Sequence, residues 1–206
     1  MSIIGIFLAV FLIVHLGINL LLLKSDGGEA FAAAVEFMGS NPLIKVFEWV
    51  LFAAFIIHIV LGIALWIHNK KARPVKYAKS NSTETSFMSK YMIHTGIIIF
   101  VFLILHFIHF YFVKVGLVDV PAVAQNNHDF YSIAIALFSQ PLYSIIYIFS
   151  FLVLGFHLNH AIQSGFQSLG LNHSKYTPAI KLISTIYAIA ITVGFTVIPI
   201  YFLITA

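Results

Sequence analysis

The chain has 206 residues, 61% of them hydrophobic and only 9% charged, with a formal net charge of +4. So little charge cannot cover a water-soluble surface of this size, which makes the bilayer the expected solvent. There is no cysteine, which excludes disulfides, thiolate metal sites, cysteine-held iron–sulfur clusters and covalent C-x-x-C-H haem attachment.

Crossing a hydrocarbon core of about 30 Å takes about 20 apolar residues. Five stretches qualify, at 2–23, 42–68, 91–113, 141–165 and 177–204. The first begins almost at Met1, with no basic n-region and no A-x-A-like site, and is expected to be a retained span. Asn41-Pro42, Gln140-Pro141 and Thr177-Pro178 open the second, fourth and fifth. Gly165 and Gly170 suit the end of the fourth. The expected fold is all-α: residues 1–206 form one integral membrane bundle of five transmembrane helices.

Charge sets the expected orientation. The 69–90 loop carries Lys70, Lys71, Arg73, Lys76, Lys79 and Lys90 against one acid, Glu84, and Lys175 and Lys181 lie on the same side. Only Lys24, Lys45 and Lys114 lie on the other, a split of eight to three. The positive-inside rule then places the 69–90 loop and the N-terminus in the cytoplasm and the C-terminus outside. This is the pattern of a multi-pass protein of the cell inner (cytoplasmic) membrane. It also explains the basic residues better than nucleic acid does.

Ten histidines are many for so apolar a chain, and an ionisable side chain inside a membrane marks a functional position by default. The alternative for each is a neutral ring bonded to a nearby carbonyl. An internal repeat separates the candidates. Gly5–His15 reads GIFLAVFLIVH and Gly96–His106 reads GIIIFVFLILH, identical at seven of eleven positions. Pro42 to His58 and Pro141 to His157 are both sixteen residues, and both runs open with Pro-Leu. Spans one and two therefore read as a parallel repeat of spans three and four. The repeat selects His15, His58, His106 and His157. It leaves His109 and His160, one turn further along, as rivals with structural or haem-propionate roles.

Depth pairs the four. His15 lies nine residues before Lys24 and His106 eight before Lys114, so both sit roughly 12–14 Å inside the outer helix ends. His58 and His157 lie roughly 24 Å from the same ends. A haem iron takes two axial ligands on opposite faces of a flat ring. His15 with His106 would hold an outer haem b, and His58 with His157 an inner one. Two histidines on one iron leave no open position, so the expected chemistry is electron transfer.

At this point the chain resembles the single-chain, two-haem cytochrome b558 membrane anchor of succinate dehydrogenase or fumarate reductase. The resemblance runs through FLIVHLGIN, DGGEAF, FMGSNPL, LGIALWIHNKKARPVKY, GFHLNHAIQSGFQSLGLNH, KYTPAIK and the Pro199–Tyr201 stretch, nearly the whole length. The family takes one ligand from each of the first four helices, which fall here on His15, His58, His106 and His157, paired first with third and second with fourth. It implies a flavoprotein with covalent FAD and an iron–sulfur subunit docked on the cytoplasmic face. Electrons would pass between succinate/fumarate and a membrane quinone, menaquinone by that resemblance. This chain would not itself act on succinate, and dimerisation of the complex is left open. Relatives carry a short polar segment before helix one, whereas this chain begins at the membrane, which puts that segment's contacts in doubt.

Quinone chemistry moves protons, so a carboxylate at the outer face is an attractive acid or base. Glu36 and Glu48 are the candidates, with Asn19 a hydrogen-bond donor one turn beyond His15; solvated helix-end charges are the alternative for both acids. A cytochrome b anchor for hydrogenase or formate dehydrogenase shares the haem physics, and a haem-free transporter relaying protons through histidines is the rival of a different class.

Overall fold

The computed structural model describes residues 1–72 and 87–205. The stretch 73–86, which carries three of the eight basic residues on the expected cytoplasmic side, lies outside the described residues, as does the side chain of Lys90. The described residues form an all-α protein of seven helices, five of them long and apolar enough to cross a membrane. α1 (Ser2–Leu20) ends in a 3-10 turn, Leu21–Leu23. α2 is Glu29–Ser40 and α3 is Pro42–Lys71. α4 (Phe87–His106) continues through a π-helical turn, Phe107–Tyr111, to Lys114. α5 is Phe130–Phe138, α6 is Pro141–Ser168 and α7 is Thr177–Thr205.

The long helices start where local chemistry favours starting. Asn41 accepts from the Leu43 and Ile44 amides at 2.9 and 3.4 Å, and Pro42 occupies the first turn of α3, where no intrahelical amide bond is lost. Lys70 and Lys71 close the same helix, next to its negative dipole end. α3 and α6 each run three residues beyond the spans read from hydropathy, because a helix continues through polar residues once they reach water. The end of α6 corrects one expectation. Gly170, at φ 81°, terminates the helix, with its own amide on the Gln167 carbonyl and the Leu171 amide on that of Phe166. Gly165 is instead a buried residue inside α6.

α2 and α5 were not foreseen. Both lie at the end of the bundle where α1 and α4 finish, here called the capped end. Gly28, at φ 90°, precedes α2, and the ring of Tyr131 from α5 lies 2.6 Å from where a Cβ would stand. Glycine is thus required there twice over, by backbone and by space. Ser144 of α6, fully buried, donates to the Phe138 carbonyl at 2.6 Å and so satisfies the end of α5.

The tightest packing is between α6 and α7, where Tyr147, Phe151, Leu158, Ile191 and Phe195 are buried in one cluster. α3 buries only Ala54 and presents Trp49, 75% exposed, on an outward face that is apolar along its length. Such a face suits lipid.

Two carboxylates organise the capped end. Partial desolvation works to raise Asp26, but the Ala30 amide, Lys24 and the Gly28 amide outweigh it and hold its carboxyl below the ordinary 3.8. Asp129 is likewise lowered, against desolvation, by the Gln125 amide and by Ser132. A depressed carboxyl pKa contributes stability that is present above the unfolded value and lost as pH falls through the folded one. Acidification below about pH 4 should therefore loosen α2 and α5 before the spans. Hydrogen exchange at α2 amides should quicken in that window, and unchanged exchange would show that these bonds do not hold the cap.

Candidate functional site

α1 and α4 run toward the capped end, α3 and α6 away from it, and their apolar faces bring four histidine rings into two pairs. His15 of α1 and His106 of α4 lie with ring centroids 5.9 Å apart and planes at 87°. His58 of α3 and His157 of α6 lie 6.4 Å apart at 66°. The glycines that open the two similar segments sit alike. A Cβ on Gly5 would stand 3.7 Å from Cε1 of His58, and one on Gly96 would stand 3.8 Å from Cε1 of His157. Each of these histidines therefore rests against a bare stretch of backbone on the neighbouring helix.

The surroundings of the two pairs differ. His15 is stacked on Phe11 at 5.2 Å and touches Phe195 of α7 at 5.7 Å. Asn19 donates to the His15 carbonyl at 2.7 Å, with the same amide nitrogen 3.4 Å from Nδ1. His106 is enclosed by Phe102, Phe107, Phe110 and Tyr147. At the second pair, Thr95 Oγ1 lies 3.1 Å from His157 Nδ1 and donates its own proton to the Met92 carbonyl at 2.9 Å. Since that hydroxyl proton is committed, Nδ1–H of His157 donates to Thr95, which leaves the Nε2 lone pair free. His58 Nδ1 is buried with no hydrogen-bond partner among the described residues.

The rival histidines are placed differently. The π-helical turn directly follows His106 and carries His109, whose Nδ1 lies 2.9 Å from the Tyr147 hydroxyl. Its ring stacks on Tyr147 and meets Tyr143 edge-on. No ring contact joins His160 to another histidine among the described residues. The π turn was missed by sequence reasoning, and it contains neither the glycine nor the proline that would have signalled a break.

The residues proposed for quinone do not converge. Glu48, near the start of α3, is paired with Lys114 at 3.2 Å, each about 30% exposed. Glu36 is exposed on α2 and makes no hydrogen bond or ion pair among the described residues. Asn19 is occupied by His15. No contact joins the three among the described residues.

The donor chemistry fits haem iron. Each pair supplies two imidazoles, and no group of three or more His, Cys, Asp or Glu able to hold a bare ion occurs among the described residues. The two imidazoles of each pair, with ring centroids 5.9 and 6.4 Å apart, are close enough that both could bind one metal ion. Comparison with protein-family models, with curated proteins and with solved structures gives no match.

Proposed function

We propose that this chain is a di-haem cytochrome b that anchors a succinate:quinone oxidoreductase and carries electrons between its iron–sulfur subunit and a membrane quinone. The observation that carries the reading is the meeting of four histidines, one from each of α1, α3, α4 and α6, as two pairs at ligand spacing. His15 and His106 would hold one haem b and His58 and His157 the other, within a parallel repeat of two helical hairpins. When bound, each haem supplies a one-electron couple without an open coordination position.

The protein's own contribution is placement and exclusion. The helices set the two pairs at different depths, about 10 Å apart by helical rise, so that electrons pass along the membrane normal. Phe102, Phe107 and Phe110 exclude water around His106, and Thr95 fixes the tautomer of His157. In the proposed orientation the capped end faces outward and the second pair lies nearer the cytoplasm. A flavoprotein with covalent FAD and an iron–sulfur subunit would dock on that side, and menaquinone would meet the chain within the membrane. Glu48 is the better placed of the two acids to serve the quinone, because its 3.2 Å pairing with Lys114 seats it beside the end of α4.

Reduced-minus-oxidised spectra of the purified complex should show two b-type haems per chain. A well-folded, colourless preparation would eliminate the reading. Covalent flavin on a partner chain and succinate-dependent reduction of the haems would favour this anchor; hydrogen- or formate-dependent reduction would assign it to a different dehydrogenase.

A further inference from the structure

α7 lies outside the four histidine-bearing helices; besides its long packing against α6, where Thr185 donates to Asn159 at 3.2 Å, it is fastened to α1 at two levels. The Tyr187 hydroxyl donates to the carbonyl of Ala9 at 2.6 Å. Seven residues further along both helices, Leu16 fills the space beside Gly194. A Cβ on Gly194 would lie 2.6 Å from Leu16 Cδ2, 3.0 Å from Cδ1 and 3.3 Å from Cγ. Adding a methyl group there would require the end of the Leu16 side chain to shift. The neighbours of these two residues are also in contact, since Phe195 lies 5.7 Å from the His15 ring and stacks on Phe151 at 5.2 Å. Two equal seven-residue steps put both contacts on nearly the same face of two parallel helices.

We propose that Gly194 and Phe195 are positioning residues for His15: the glycine admits Leu16, which sets the approach of α1, and the phenylalanine backs the imidazole. This inference rests on the haem reading above and adds to it that the Gly194–Phe195 step of the fifth span acts on the His15 centre. No aromatic contact from α7 reaches His58, His106 or His157 among the described residues. The pocket of His106 is built by α4 and α6 instead. In hydrocarbon, van der Waals packing at small residues helps to fix one helix against another, so a larger side chain at Gly194 would change how α1 sits against α7.

The test uses the full-length protein in its complex, with haem spectra and redox titration as readouts. His15→Ala first identifies which spectral component belongs to the His15 centre. Gly194→Val should lose that same component, with haem affinity there reduced about tenfold or more, and keep the other as a sign of a folded bundle. Gly194→Ala should give a weaker form of the defect, read as a shift in that component's midpoint potential. Adding Leu16→Ala to Gly194→Val makes room for the new side chain and should restore the component. Equal loss of both components, retention of both, or failure of Leu16→Ala to restore the lost one would overturn the inference and leave the haem reading standing. Absence of haem from the unmodified protein would overturn both.

Discussion

On the di-haem reading, replacing any one of the four paired histidines with alanine is expected to remove one haem and spare the other. His15→Ala and His106→Ala should deplete the same spectral component, and His58→Ala and His157→Ala the second. The expectation follows from geometry. Each pair draws on two different helices, and the pairs share no member. Each variant would leave its pair with one protein imidazole, so on the di-haem reading it should drop from two haems per chain to one, with the remaining one keeping its potential approximately. His109→Ala is the informative control. His109 is bonded to the Tyr147 hydroxyl, so its loss should leave both haems in place. If His109→Ala removed a haem as completely as His106→Ala, the assignment would have to move one turn along α4. Equal loss of both components from all four variants would leave the pairing without support.

The second large effect is expected at Thr95. Its hydroxyl, fixed by the Met92 carbonyl, receives Nδ1–H of His157 and so holds the ring in the tautomer whose Nε2 can bind a metal. Partners of this kind typically contribute 10–100-fold to metal affinity. Thr95→Val keeps the side-chain shape and removes the acceptor. It should weaken haem binding at the His58–His157 centre by about that factor and leave the His15–His106 centre unchanged. Thr95→Ser retains the hydroxyl and should preserve binding. Haem titration of the apoprotein, followed at each component separately, reads the difference. Equal affinity in Thr95→Val and the unmodified protein would mean that His157 is oriented by packing alone.

The pH behaviour of the capped end separates from both effects. Asp26 and Asp129 belong to the connections around α2 and α5, not to the spans. Loosening that end at low pH tests what holds the cap and carries no information about the two histidine pairs.

The five spans were legible from composition, because a bilayer demands unbroken apolar length and internally satisfied backbone, which few residue patterns can meet. The starts at Pro42 and Pro141 were legible for an equally local reason: proline is favoured in the first helical turn, where its missing amide loses no intrahelical bond. The matching sixteen-residue distances from those prolines fix His58 and His157 at one depth, since helical rise is constant. Depth does not say which face a ring occupies. That was decided by how α1, α3, α4 and α6 pack, which brings His15 to His106 and leaves His109 with Tyr147.

α2 and α5 escaped because they are short and stabilised mainly by what they touch: Tyr131 over Gly28, and Ser144 on the Phe138 carbonyl. The π turn at Phe107–Tyr111 escaped because one additional residue in a helical turn leaves no mark in composition. Gly165 and Gly170 looked alike on paper, and only the backbone distinguished the buried glycine from the terminating one. The sequence by itself thus determined what depends on one helix in lipid: length, ends and depth. Tertiary structure alone decided what depends on two helices at once, from the Glu48–Lys114 ion pair to the seating of Leu16 on Gly194, because a contact between distant segments is fixed by packing and not by local preference.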